Sequence, residues 1–424
     1  MGSPAPLAAR PLWAEVLPPQ RDYVALPPGR DPVVIAEKDA GVMRYVRRSL
    51  LALPPRTGMP PLAARTALAA ASQVVRMPAA WALFPKVPEL ADRSEEADSG
   101  LASWLAPEGR RLLVLHHSRD ADAGVVMLLF DAGMAQPSTA LKIADSEEGA
   151  VRIDRERVQL RHIRQQQLGP VLSTVPELLP DRESRFAILP TKGQPGTPML
   201  VAYHRPGHIR TPRAVHADFR SAGRWLAALQ ATATGQHEPL AVAGGCEAAA
   251  TQLLRGDEQQ LDQVLTSLAA LRARLRRHVA ALTVVHGDFW PGNALVEDGL
   301  IVGVVDWERA EVAGSPVRDL ARFAVAYSLY LDRHTSPGRP VRGLRGLTAG
   351  APGAGVLHAV DGTGWFPVTV RRYLRAGLAR VGLPDSVARD AVQSEVASSA
   401  AEATDPDFAR SQWALFLALE RTRS

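Results

Sequence analysis

Residues 284–296 read VVHGDFWPGNALV: an apolar run, then a His, an Asp, two Gly, a Pro and an Asn, then a second apolar run. A plain reverse turn needs little more than a Gly and an Asp. A connection that adds a Trp-Pro-Gly corner and an amide is built to aim side chains. The next apolar run, LIVGVVDWE from residue 300, ends on Asp306, 18 residues beyond Asp288. Taken alone, Asp288 reads as a turn aspartate and Asn293 as a left-handed turn residue. With Asp306 at the end of a neighbouring strand, two carboxylates and one amide converge instead. Oxygen donors of this kind suit Mg²⁺, which binds carboxylates together with substrate phosphates. Zinc would want closely spaced His and Cys, and the 11 histidines form no such pattern.

Outward from this stretch, the chain has 424 residues, enough for two or three structural units. Its single cysteine, Cys246, excludes an internal disulfide framework and fits a reducing cytosol, so a cytoplasmic location is expected. There is no apolar run of membrane-spanning length and no secretory pattern at the start. The net charge of +5 comes from basic residues spread along the chain, with groups such as RLRRHV on helix faces. Dispersed charge of this kind serves solubility, and no nucleic-acid or membrane partner is expected. Of 49 basic residues only four are lysines, Lys38, Lys86, Lys142 and Lys192. A composition biased this far to arginine keeps a lysine where a compact ammonium is needed.

The first hundred or so residues are proline-rich, with a short strand-like run at 32–36 and helical stretches at 40–53 and 63–75. They suggest no particular fold. From residue 110 three short apolar runs (RRLLVLHHS, GVVMLLFDA, STALKIAD) predict an antiparallel meander. EEGAVRIDRERVQLRHIRQQ follows as an amphipathic helix, with Val151, Val158 and Ile163 as its apolar residues. SRFAILPTKGQPG is one more apolar run, ending in Gly and Pro. Helices dominate after residue 196, apart from the two runs that flank the opening stretch. Residues 336–364, rich in Gly, Pro and Arg, predict an exposed loop.

Phosphoryl transfer to a hydroxyl needs a metal on the phosphates, a cation on the phosphate oxygens and a carboxylate beside the attacking oxygen. Asp288 can serve as that carboxylate, with Asn293 and Asp306 on the metal. Lys142 supplies the cation, and Glu156, 14 residues on, is placed to pair with it.

HGDFWPGN followed by VVDWERA and SPVRDLARF resembles the aminoglycoside phosphotransferase and choline kinase group. The likeness covers roughly residues 110–332. It implies an α+β, bilobal protein-kinase-like fold: a small antiparallel β-sheet N-lobe at 109–195, a mainly helical C-lobe at 196–424, and an N-terminal extension of unassigned fold at 1–108. By this resemblance Asp288 is the catalytic base, Asn293 and Asp306 are the Mg²⁺ ligands, and Lys142, paired with Glu156, contacts the phosphates of ATP or GTP. Ile188, Leu189, Pro190, Thr191 and Lys192 would form a hinge that binds the purine through its backbone. His286 and Asp319 would support the loop. The nucleotide-covering loop HHSRDADAG departs from the pattern, having one glycine and no G-x-G-x-x-G. Trp290 and Trp307 read as packing residues and Cys246 as inert.

Trp290 stands where protein kinases carry a lysine, and no A-P-E element follows Asp306. Both points favour a small-molecule hydroxyl acceptor over a protein. The competing class is an inactive kinase-fold protein that binds nucleotide for regulation. A polycationic acceptor would call for a carboxylate cluster in the helical region. Glu308, Glu311, Asp332, Glu395, Glu402, Asp405 and Asp407 are candidates, yet Arg318, Arg322, Arg333, Arg371 and Arg372 are interleaved with them. Antibiotic, sugar, nucleoside and other metabolite acceptors stay open.

Overall fold

A computed structural model describes residues 11–18, 20–26, 32–50, 99–116, 124–205, 207–333 and 335–423. The helix expected at 63–75 and most of the glycine-poor loop, residues 117–123, lie outside the described residues. The chain forms two compact units, Met1–Arg161 with Val175–Thr197, and His162–Thr174 with Pro198–Ser424.

The first unit is built on a six-stranded sheet in sequence order. Its strands are β1 (Tyr23–Leu26), β2 (Val34–Glu37), β3 (Arg111–Leu115), β4 (Val125–Phe130), β5 (Thr139–Ala144) and β6 (Ala187–Lys192). Every neighbouring pair is antiparallel, so the expected meander is present and two strands from the front section extend it. Alternate residues of one strand point to opposite faces, and here both faces are buried. Ile35, Leu112, Val114, Met127, Leu141 and Ile143 point to one face, where they meet Trp13, Leu17, Leu101 and Trp104. Ala36, Leu113, Leu128 and Phe130 point to the other, against Val42, Met43 and Val46. The covering residues come from α1 (Leu12–Val16), α2 (Ala40–Ser49) and α3 (Ser99–Leu105). The front section is thus what keeps water off both faces of the sheet. At roughly 1.5–3 kcal/mol for each large apolar side chain buried, this cover is a main source of the unit's stability. Glu37, buried at the end of β2, is compensated by Arg21 at 2.9 Å, Arg111 at 3.2 Å and the Leu112 N–H at 3.1 Å.

After β5 comes α4 (Glu147–Arg164). Its buried stripe is Ile153, Glu156, Leu160 and Ile163, a helical i, i+3, i+7, i+10 series. Val151 and Val158, expected inside, are 55% and 43% exposed. The two valines lie off the phase of that stripe, and only Ile163 of the expected set is on it.

In the second unit, α5 (Pro212–Gln230) precedes β7 (Ala233–Pro239), α6 (Glu258–Leu275) and β8 (Val279–Val285). A hairpin of β9 (Ala294–Glu297) and β10 (Leu300–Val304) turns through Asp298 and Gly299, both at positive φ (49° and 76°). Asp-Gly is the sequence such a tight hairpin turn prefers. Then follow β11 (Glu311–Gly314), α7 (Arg318–Leu329), α8 (Trp365–Arg380), α9 (Val387–Ala401) and α10 (Pro406–Arg421). β8 is the middle strand between β7 and β11, so its C-terminal end is held from both sides. The expected loop at 336–364 is less exposed than its composition suggests: Val341, Leu344, Leu347 and Ala349 are buried, and a helix forms at Ala354–Asp361. Those four apolar residues anchor the Gly and Arg between them.

Candidate active site

In the first unit, strand β5 and helix α4 place Lys142 and Glu156 in contact, with Nζ 2.5 Å from Oε2. The Glu156 side chain is 5% exposed and that of Lys142 is 27% exposed. A carboxylate set in an apolar stripe is costly unless it is paired. Burial therefore selects Glu156 over Glu147, Glu148 and Asp154, and leaves the ammonium partly open to solvent.

The expected hinge is a strand. Ile188, Leu189, Pro190, Thr191 and Lys192 all pair with β5 within β6. On the other edge the Pro190 carbonyl accepts from the Leu179 N–H at 3.0 Å, and the Lys192 N–H donates to the Glu177 carbonyl at 2.8 Å. The Ile188 carbonyl accepts from Arg157. These contacts take up the Ile188 and Pro190 carbonyls and the Lys192 N–H. The apolar run reads equally as hinge or as strand, and the Glu177–Leu179 segment that closes its second edge carries no sequence signal.

In the second unit, β8 ends at His286 and the loop turns at Gly287, where φ is 82°. A Cβ there would lie 2.1 Å from the Arg309 carbonyl oxygen, so only glycine fits. Asp319, on the first turn of α7 and 2% exposed, accepts from the His286 N–H at 2.6 Å and the Gly287 N–H at 2.9 Å. The His286 ring is committed on both nitrogens. Nδ1 accepts from the Asp288 N–H at 3.2 Å, so Nε2 carries the proton and donates to the Val305 carbonyl at 2.9 Å. Phe289 stacks between Trp225 and Phe323, and Trp307 is fully buried against His286. Aromatic packing therefore fixes the loop beneath Asp288.

The Asp288 carboxylate is held on both oxygens. Arg322 donates to Oδ1 through Nε at 2.9 Å and Nη2 at 2.6 Å. Asn293 Nδ2 donates to the Asp288 carbonyl at 3.0 Å and to Oδ2 at 3.2 Å. The third nitrogen of Arg322, Nη1, reaches Glu395 Oε1 at 3.1 Å and Ser399 Oγ at 2.7 Å on α9. Although burial alone would lower it, the charges of Asp288 and Glu395 hold the Arg322 pKa above its ordinary value. Burial raises the pKa of Glu395, and Arg322 offsets part of that rise. The sequence marked Glu395 and Arg322 only among the charges around a possible acceptor and placed neither of them, nor Ser399, on Asp288. The available signals were Asp319-x-x-Arg322 on one helix face, and a glutamate inside a helix of Ala, Ser and Val.

Asn293 and Asp306 flank the open end of the β9–β10 hairpin. The Val305 N–H donates to the Asn293 carbonyl at 3.0 Å, which sets Asp306 one residue beyond that contact. Asp306 has φ 66°, a left-handed conformation that costs a non-glycine residue free energy. Since the Asn293 side-chain nitrogen Nδ2 is spent on Asp288, the side-chain oxygen Oδ1 is the atom left for a cation. This all-oxygen donor set fits Mg²⁺.

Trp307 packs as expected, whereas half-buried Trp290 does not. It lines a recess with Arg309, Arg322, Tyr330, Glu402 and Phe408. Its indole lies over Gly292, where a Cβ would come within 2.3 Å of the ring. Cys246 is buried, with its thiol pKa pushed up to about 11 by burial, in keeping with an inert residue.

Residues 117–343 match the model of the phosphotransferase enzyme family. No curated protein matches the chain. Similar solved structures include the aminoglycoside phosphotransferase APH(4)-Ia, at 12% identity and a TM-score of 0.46, covering 77% of this chain and 99% of that one. ADP-bound APH(2'')-Ib is 14% identical with a TM-score of 0.43, covering 75% and 95%. The streptomycin–ATP–APH(2")-IIa complex is 13% identical with a TM-score of 0.42, covering 72% and 90%.

Proposed function

The chain belongs to the phosphotransferase enzyme family, and from that premise we propose that it moves the γ-phosphoryl group of ATP or GTP to a hydroxyl of a small molecule. The observation that carries the reading is the doubly held carboxylate of Asp288. With Oδ1 taken by the bidentate arginine, Oδ2 is the oxygen turned to the acceptor. It takes the hydroxyl proton as the acceptor oxygen bonds to the γ-phosphorus, while the bond from that phosphorus to the nucleoside diphosphate breaks. His286 and Asp319 hold the loop still through these bond changes, which is the positioning part of catalysis. Lys142, fixed by Glu156, is assigned to the nucleotide phosphates.

The Asn293 side-chain oxygen Oδ1 and Asp306 would hold Mg²⁺, and the ion supplies neutralisation of phosphate charge. Asn293 has a second task in this reading, since its amide nitrogen sets the rotamer of Asp288. The acceptor is a small molecule, with no nucleic-acid or membrane partner. Among the described residues no helix is long and apolar enough to cross a membrane.

The test is Asp288→Asn in the full chain, with phosphoryl transfer and nucleotide binding measured separately. Transfer is expected to fall by on the order of 10²–10⁴-fold, while the nucleotide dissociation constant stays within about twofold of wild type. Transfer at the wild-type rate would overturn the assignment of Asp288.

A further inference from the structure

We infer that the recess beside Asp288 takes one uncharged ring of the acceptor, so that the substrate is a neutral, ring-bearing alcohol and not a polycation. The inference rests on the phosphotransferase reading and names the substrate class of the same site. Its volume is about 170 Å³. A volume of about 150 Å³ is enough for benzene, so by size this open, partly polar recess has room for a single six-membered ring. Trp290, Tyr330 and Phe408 supply aromatic surface, and Arg322 ties the recess to Asp288.

The charges exclude a polycation. Arg309 and Arg322 line the recess, and the Arg333 guanidinium lies 5.3 Å above the Tyr330 ring. Among the described residues, each of the seven carboxylates considered for binding amines already has a partner. Glu402 holds Arg309 and Arg318, Glu395 holds Arg322, and Glu311 holds Arg318. Glu308 lies 3.9 Å from Arg309. Asp332 accepts from the Gly350 N–H, Asp405 caps α10, and Asp407 pairs with Arg410. At Glu308, Glu311, Glu395, Glu402 and Asp407 an entering ammonium would have to displace a guanidinium, and beside Arg309 and Arg322 it would meet like charge. An uncharged ring instead buries against aromatic faces without breaking an ion pair. Phe408 is 40% exposed, a position that costs apolar surface unless something covers it.

Calorimetric titration of the full chain without nucleotide tests this, with benzyl alcohol and phenyl β-D-glucoside as neutral probes and kanamycin as the polycation. Saturable binding of a neutral probe, tighter than kanamycin, is the expected result. Trp290→Ala and Phe408→Ala should each weaken it about tenfold, and Trp290→Phe should retain most of it. Phe408 is exposed, so its variant keeps the test decisive if Trp290→Ala does not fold. Tighter binding of kanamycin, no binding of either neutral probe, or unchanged affinity in Phe408→Ala would overturn the inference. Because nucleotide is absent, loss of ATP binding in a separate titration strikes the phosphotransferase reading, while the neutral-probe result still decides the recess.

Discussion

The two charged centres solve the same problem in different ways. In the first unit an ammonium from a strand meets a carboxylate from a helix, with Glu156 buried and Lys142 partly open. In the second unit the carboxylate of Asp288 is one member of a network that runs through Arg322 to Glu395 and Ser399, braced from below by stacked aromatics. In the proposed roles, the strand–helix pair positions a group for a mobile polyphosphate, and the network holds a group whose direction decides the chemistry, since bonds to two separate elements leave it few alternative rotamers. The supports differ as well, because the first unit rests on a cover supplied by the front section and the second on its own helices.

Four substitutions sharpen or break this contrast. Trp13→Ala removes a buried tryptophan that covers the sheet and should cost about 3–5 kcal/mol. Denaturant melting should show the loss in the first unit; an unchanged midpoint would mean the cover is dispensable. Arg322→Met leaves Asp288 and Glu395 without their shared cation. The expected cost is about 3 kcal/mol, at the lower end for a buried pair because the arginine side chain is 22% exposed. Turnover should fall with no change in nucleotide affinity, and retained turnover would remove Arg322 from the positioning of Asp288. Glu156→Gln should destabilise by about 1–2 kcal/mol and raise the nucleotide KM more than it lowers kcat. The reverse split would mean that the two centres do not divide labour.

The smallest effect concerns pH. His358 is buried, and burial followed by the nearby Arg371 charge lowers its pKa below the ordinary 6.5. A depressed base binds its proton less well when folded, so its contribution to stability is present above pH 6.5 and is lost as pH falls through the lowered value. Thermal melts of wild type and His358→Gln should diverge above that range and converge at acid pH. Parallel curves would show that His358 carries none of the dependence.

The legible parts of the site were those that chain order brings together. His286, Asp288, Asn293 and Asp306 lie within one strand–loop–hairpin segment, so their spacing alone implied convergence. Lys142 stood out because lysine is scarce. Arg322 did not, because it is one arginine among the 45 left when four lysines are taken from 49 basic residues. Nothing local marks its bond to a carboxylate 34 positions away. Glu156 was identified, but the helix face around it was misassigned, since its own carboxylate breaks the apolar period. The front strands are four residues long and sit among prolines, and their pairing with β3 crosses nearly eighty positions (Ile35 with Val114). Hydrophobic periodicity does not report partners so far apart.

That long-range pairing bears on how the chain is made. Glu37 finds its backbone partner, the Leu112 N–H, 75 residues downstream, and β2 closes only when β3 has left the ribosome. Until then Ile35 lacks its partner strand, Val42 and Met43 lack most of the sheet they cover, and all three remain open to other apolar surfaces. Such non-local closure is expected to slow the folding of this sheet, whereas the β9–β10 hairpin needs only a turn of two adjacent residues. Expression temperature and chaperone supply should therefore act on the yield of this protein through its front section.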